Sequence, residues 1–305
     1  MAVVAWAGVT TEVTNNVTDT ALIFEGGGMR GSFSSGVLVT LLEAGIHADW
    51  VGGISAGTSC LANYVSRDPA RAERSFVDFA AEPEFGDWRT WLQGKGMFNA
   101  EWIYEQTALP HQAMPFDFDA FSANPARLAL GAYRCEDGEM VYWGRDDVAE
   151  LPALMKRVRA SSTMPLLMPL TTIDGVDYCD GALGPTGGFA HDAAKEAGFE
   201  RFLVVMTRER GYRKRTSRLS SAYRSLFRRY PAVARGILER PANYNRSLDD
   251  LLDLEREGRA FLIFPDEMPI KNSERDLTRL RGVFDAGRRQ AMRQLPQIRD
   301  FLGLN

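Results

Sequence analysis

Ala21-Leu22-Ile23-Phe24 runs into Glu25-Gly26-Gly27-Gly28-Met29-Arg30-Gly31. Further on, Trp50-Val51-Gly52-Gly53-Ile54 runs into Ser55-Ala56-Gly57. Each is a short apolar run that ends in a small-residue turn. Each is followed by a helical pattern: 34–44, with Val37, Leu38, Leu41 and Leu42 on one face and Gly45 closing it, and then 58–65. A strand, a turn and a helix repeated within about 45 residues predict an α/β fold with a mainly parallel central sheet and helices on both faces.

Outward from this pair, apolar runs predict strands at 128–133, 139–143, 202–207 and 261–264. Asp137-Gly138 and Asp174-Gly175 mark tight turns, the second leading into Val176-Asp177-Tyr178-Cys179. Helices are expected at 156–162 and 189–197, with one or two more over 274–295. The stretch from Arg67 to about Met114 reads as helix and loop, crowded with Trp88, Trp91, Phe98, Trp102 and Tyr104. These aromatics suit helix-on-sheet packing or the lining of a substrate cap.

The chain has 305 residues, 45% of them hydrophobic and 25% charged, ordinary for a globular domain with a large core. A net charge of −4 argues against a nucleic-acid binder. Cys60, Cys135 and Cys179 have no metal-site or C-x-x-C spacing and are expected to be reduced, as in a cytoplasm. No signal peptide is visible, and residues 1–18 read as a polar lead-in to a single unit over 19–305. Residues 208–240 stand apart, with eleven Arg or Lys against two Glu. Their apolar residues, Leu219, Tyr223, Leu226, Phe227 and Tyr230 among them, recur near helix spacing between the arginines. With Arg218, Arg224, Arg228, Arg229 and Arg235 interleaved, the segment reads as a basic amphipathic element suited to solvent or to an anionic membrane surface, with Arg224, Arg228 and Arg229 as contacts.

Gly53, Ser55 and Gly57 fit G-x-S-x-G, a weak pattern alone but one placed here between a buried strand and a helix. That is the context of a nucleophile elbow, where crowded backbones demand small neighbours and helix N–H groups favour developing negative charge. The first glycine turn can aim several N–H groups at one point, as an oxyanion site requires, with Arg30 adding positive charge. Gly26, Gly28 and Gly31 also satisfy G-x-G-x-x-G, with Asp49 further on. A dinucleotide reading, however, leaves the serine turn unexplained and puts Asp49 before the next strand rather than at its far end.

A serine nucleophile needs a base. The chain has three histidines, His47, His111 and His191. A triad of Ser55, Asp180 and His191 keeps the hydrolase order Ser, Asp, His. A dyad of Ser55 and Asp180 needs no histidine, and Gly181 permits close approach of the backbone at the Asp180 turn. Asp174 and Asp177 suit the turn and the strand edge. On residues alone, dyad and triad both stand.

Three segments together resemble the bacterial patatin-like phospholipases, a family of serine lipid acyl hydrolases. They are Gly26 to Gly31, Gly53 to Gly57, and Asp180-Gly181-Ala182, in that order. Ala160-Ser161-Ser162-Thr163-Met164-Pro165 resembles the family's Ser-rich, Pro-ended segment. The resemblance covers about 21–207. It implies a three-layer α/β/α fold, Ser55 as nucleophile and Asp180 as base, with no catalytic histidine, cofactor or metal. It places Gly26, Gly27, Gly28, Met29, Arg30 and Ala56 at the oxyanion site, with Gly31, Gly53, Gly57 and Gly181 in support. Ala182 stands where the family commonly has glycine, a small change. The implied substrate is a phospholipid or other acyl-ester lipid, met at a membrane surface or in solution. A lipid-binding protein on the same scaffold is the alternative of a different class.

Overall fold

A computed structural model describes residues 13–216 and 220–304. Residues 1–12 of the lead-in, and Arg218 and Leu219 of the basic segment, lie outside the described residues. The first half of the chain gives β1 (Thr20–Phe24), α1 (Gly31–Glu43), β2 (Trp50–Ile54), α2 (Ala56–Val65), α3 (Pro69–Phe76), α4 (Trp88–Leu92), α5 (Phe118–Ala123), β3 (Arg127–Arg134) and β4 (Met140–Trp143). The second half gives α6 (Leu151–Ser162), β5 (Thr171–Ile173), β6 (Val176–Asp180), α7 (His191–Glu196), β7 (Arg201–Val205), α8 (Ser220–Leu226), α9 (Pro231–Arg256), β8 (Ala260–Ile263) and α10 (Leu277–Phe301).

The strands form one sheet between two helical layers. Side chains alternate along β1: Leu22 and Phe24 join a core with α1, α2, α3, α6 and α10, while Ala21 and Ile23 join a second core with α7 and α9. Each fully buried Leu, Ile or Phe contributes about 1.5–3 kcal/mol of transfer free energy, so the two cores hold the layers on the sheet. The sheet is mixed. β3, β2, β1, β7 and β8 run parallel in that order, but β4 and β6 pair antiparallel with β3, and β5 antiparallel with β6.

Strand β3 decides what meets at the site. Along it, β2 pairs with residues from Arg127 to Gly131 and β6 with residues from Ala132 to Arg134. Strand β4 shares Leu130 and Gly131 with β2, and Ala132 and Tyr133 with β6, as register partners. A strand has only two edges, so β2 and β6 lie end to end on the same one. Because β2 is parallel and β6 antiparallel to β3, their C-terminal ends face each other, with Ile54 opposite Gly131 and Asp180 opposite Ala132.

Three expectations change. Helix α6 starts at Leu151, a turn before the expected 156, with Leu154 and Met155 buried. The C-terminal helix runs unbroken through Pro296, although proline removes one helical hydrogen bond. Beyond it Ile298 is fully buried and Phe301 packs on Phe261, which holds the last turn in place. The basic segment is not one amphipathic element: 208–216 is an irregular strap, α8 is short, and Arg224, Arg228 and Arg229 point to solvent. Just before β1, Val17 is buried and bridges to Ala48. Among the described residues no helix is long and apolar enough to cross a membrane.

Candidate active site

Ser55 is the first residue beyond β2 and caps α2 with φ 57° and ψ −129°. An L-residue there stores about 1–3 kcal/mol of backbone strain, so its surroundings must hold it. Its N–H donates to Ser161 Oγ at 2.8 Å, and its carbonyl accepts from Thr58 N–H at 2.9 Å and Thr58 Oγ1 at 2.6 Å. The flanking glycines are required by space. A Cβ on Gly53 would lie 2.3 Å from the Gly57 carbonyl oxygen, and one on Gly57 would lie 2.1 Å from that of Phe24.

Across the strand junction, Ser55 Oγ donates to Asp180 Oδ2 at 2.9 Å. Asp180 Oδ1 accepts from Ala182 N–H at 2.9 Å, and Asp180 N–H donates to the Thr163 carbonyl at 2.8 Å. Both side chains are buried, Ser55 7% and Asp180 5% exposed. Burial raises the Asp180 carboxyl above its ordinary value. Arg240, the Ala182 N–H, the Ser55 hydroxyl and Lys214 oppose that shift. A carboxylate so raised is a stronger base than one in water.

The Ser55 hydroxyl reaches Asp180 directly, so the bond itself occupies the place of a bridging imidazole. Among the described residues no histidine side chain hydrogen-bonds to either group. His191 opens α7, is buried edge-on to Phe189, and is lowered to about 4 by burial, with Lys195 adding to it. His47 sits ahead of β2, where its N–H binds Asn16, and His111 is exposed. Asp177 accepts from Thr172 and Tyr230, and Asp174 forms the β5–β6 turn. Asp49 lies at the near end of β2 beside Arg127, away from both glycine turns.

The first glycine turn lies beside this pair: a Cβ on Gly26 would come within 3.0 Å of Ser55 Cβ. Not every N–H expected at the oxyanion site is free. Gly26 donates to the Gly188 carbonyl, Met29 to that of Asn272 at 2.9 Å, and Arg30 to that of Gly27. Gly27, Gly28 and Ala56 keep N–H groups with no protein acceptor among the described residues. Gly28 has φ +56°, the left-handed conformation that turns the loop toward Ser55. The Arg30 guanidinium is buried, and burial lowers it to about 10, so it stays cationic at neutral pH.

Ser55, Ala56, Gly28 and Met29 border a narrow cavity of about 90 Å³ whose far wall is apolar, built by Phe79, Phe85, Phe98, Met155, Val158 and Met168. The expectation that the aromatics of 67–114 line a substrate cap divides here: Phe98 and Tyr104 line the cavity, together with Met164 and Met168, whereas Trp88 and Trp91 are 60% and 54% exposed on α4.

Ser161 carries a role that sequence reasoning did not assign. Its hydroxyl accepts the Ser55 N–H and donates to the Gly131 carbonyl at 2.5 Å, pinning the elbow to β3. Ser161→Ala strands two buried backbone groups. It should destabilise the fold by about 1–3 kcal/mol in urea titrations.

The family profile described as patatin-like phospholipase matches residues 22–193, and a domain of unknown function (DUF6363) matches 230–303. The uncharacterized protein YjjU of Escherichia coli (strain K12) is 27% identical over 189 residues, 61% of this chain and 51% of that protein. The chain thus spans about half the length of that curated relative. The crystal structure of VipD from Legionella pneumophila superposes with a TM-score of 0.49 and 13% identity, over 92% of this chain and 67% of that one. The profile spans more than half of the chain and contains both glycine turns, Ser55 and Asp180: the chain belongs to the patatin-like phospholipase family.

Proposed function

We propose that the chain is a serine acyl hydrolase that cleaves carboxylic esters of phospholipids or related lipids through a Ser55–Asp180 dyad and an acyl-enzyme. The observation that carries this reading is the direct 2.9 Å bond from Ser55 Oγ to Asp180 at the mouth of an apolar cavity. Asp180 takes the hydroxyl proton as Ser55 Oγ attacks the ester carbonyl. The negative charge moves to the carbonyl oxygen, where the N–H groups of Gly27, Gly28 and Ala56 meet it, with Arg30 behind them. The tetrahedral species collapses, and the departing alkoxide takes the proton back from Asp180. Water, deprotonated by Asp180, then attacks the acyl-Ser55 ester; the second tetrahedral species collapses with Ser55 Oγ as leaving group, which takes the proton back from Asp180 as the fatty acid is released.

The narrow apolar cavity suits one acyl chain. Exposed Trp88, Trp91, Leu92 and Leu166, close in sequence to cavity-lining residues, suit contact with a lipid surface. We read 19–305 as one catalytic unit. Strand β8 extends the sheet, α10 lies along α1, and Asn272 holds the N–H of Met29 in the glycine turn. The test is hydrolysis of a medium-chain p-nitrophenyl ester beside mixed phospholipid vesicles, by wild type and by folded Ser55→Ala. The expected result is turnover of both by wild type and neither by the variant. Wild type inert toward both would favour a lipid-binding protein on this scaffold.

A further inference from the structure

Four cationic side chains lie near enough to feel one another's charge: Arg30 from the first glycine turn, Arg208 and Lys214 from the strap after β7, and Arg240 from α9. Tyr212 and Tyr244 form a floor, their rings edge-on at 6.1 Å. The Arg208 guanidinium lies 4.3 Å from the Tyr212 ring centre, and Lys214 Nζ lies 3.5 Å from that of Tyr244. The floor is tied to the active site. A Cβ on Gly187 would lie 2.5 Å from the Tyr244 backbone, and the next carbonyl, that of Gly188, accepts the Gly26 N–H.

The protein offsets this charge only in part. Among the described residues no carboxylate lies within 4.0 Å of any of the four cations. The Nε groups of Arg30, Arg208 and Arg240 are buried without partners, and Arg30 as a whole is 5% exposed. Two acids stand nearby: Asp180, and Glu25, whose carboxylate is already bound to the Thr207 N–H. Burial, and then repulsion from Arg240, pulls the Lys214 ammonium down to about 7 against the attraction of Glu25, with Arg30 and Arg208 adding to the fall. Buried cations left in excess are costly unless an anion completes the set. Guanidinium pairs grip phosphate oxygens well. Arg208, Lys214 and Arg240 are only half buried, so an anion can reach them from solvent.

We infer that Arg208, Lys214 and Arg240, with Arg30, receive the phosphate of the ester substrate and select lipids whose headgroup carries net negative charge. This rests on the hydrolase reading above. The cluster repels the ammonium of a zwitterionic headgroup as it attracts the phosphate, and offers no free carboxylate to receive it.

The experiment compares kcat/KM on phosphatidylglycerol and phosphatidylcholine of identical acyl chains, at one mole fraction in neutral-detergent micelles. Wild type, Arg208→Gln and Arg240→Gln are assayed, with Arg224→Gln as the control for exposed surface charge. In parallel, thermal shifts with inorganic phosphate are measured on Ser55→Ala alone and combined with Arg208→Gln or Arg240→Gln. Wild type should prefer the anionic lipid at least tenfold. Arg208→Gln and Arg240→Gln should each shrink that preference at least fivefold, Arg224→Gln should not, and the phosphate shift should diminish with either cluster substitution. Equal rates on the two lipids, or a preference that survives both substitutions or falls equally in Arg224→Gln, overturns the inference. A phosphate shift without lipid preference points to free phosphate and overturns the headgroup assignment. If wild type hydrolyses no ester at all, the hydrolase reading fails. The thermal shifts then decide the anion site by themselves: a shift lost with the cluster arginines supports it, and no shift overturns it.

Discussion

Asp180→Asn is expected to lower ester turnover by about 10³- to 10⁴-fold while leaving the protein folded and somewhat more stable. The loss follows from the direct Ser55–Asp180 bond: an amide cannot take the proton, and no histidine side chain bonds to Ser55 among the described residues. The residual rate comes from the oxyanion donors and the cavity. The gain in stability follows from burial. The folded-state pKa of Asp180 is raised, so the folded chain binds more protons than the unfolded one between the ordinary carboxylate value and the raised value. Ionised Asp180 therefore destabilises the fold, increasingly as pH rises through that window and constantly above it. Asn removes this term, so the variant should be more stable than wild type at pH 7 and gain almost nothing where the wild-type carboxyl is already protonated. Urea titrations at both pH values check the sign. In kcat/KM against pH, wild type should show an acid limb centred above the ordinary Asp value, and Asp180→Asn should not. His191→Gln, assayed alongside, should stay within about twofold of wild type, since its imidazole is neutral at pH 7 and bonds to neither Ser55 nor Asp180. Asp180→Asn that keeps more than a tenth of wild-type turnover would require another base.

Gly57→Ala is expected to be the most damaging added methyl group among the described glycines. Its Cβ would lie 2.1 Å from the Phe24 carbonyl oxygen, far inside van der Waals contact. Relief requires α2 to move away from β1, yet β1 is held on both edges by β2 and β7. Overpacking of this kind costs about 3 kcal/mol or more, a large part of the 5–15 kcal/mol typical of a whole domain. Soluble yield should fall sharply, and whatever folds should have a displaced Ser55. Gly198→Ala provides the contrast. Its φ of +89° also suits glycine, but nothing lies within 4 Å, so only backbone strain of about 1–2 kcal/mol is expected. Equal unfolding midpoints for the two variants would show that the elbow is not close-packed.

Much of the site is legible in the sequence because its chemistry is local. Buried runs such as Ala21 to Phe24 mark strands by composition, and both small-residue turns announce themselves where those runs end. The meeting of Ser55 with Asp180 is not local. It arises because β3 is long enough to carry β2 and then β6 on one edge, and register across a sheet leaves no periodic trace in either partner. Ser161 is hidden for the same reason: beside Ser162, nothing in its residue type marks it as the one that holds the elbow. The arginines of 208–240 divide into inward and outward sets by the path of the strap around Tyr212 and Tyr244, a tertiary feature that helical spacing does not encode. Pro296 misleads because local propensity ends a helix that burial of Ile298 continues.

The most direct measurement is rapid-quench mass spectrometry during turnover of a slowly deacylated medium-chain ester. An acyl adduct is expected on the peptide containing Ser55, formed before free fatty acid accumulates, absent from Ser55→Ala and strongly slowed in Asp180→Asn. Turnover with no adduct, or with the acyl group on another residue, would contradict the Ser55 acyl-enzyme.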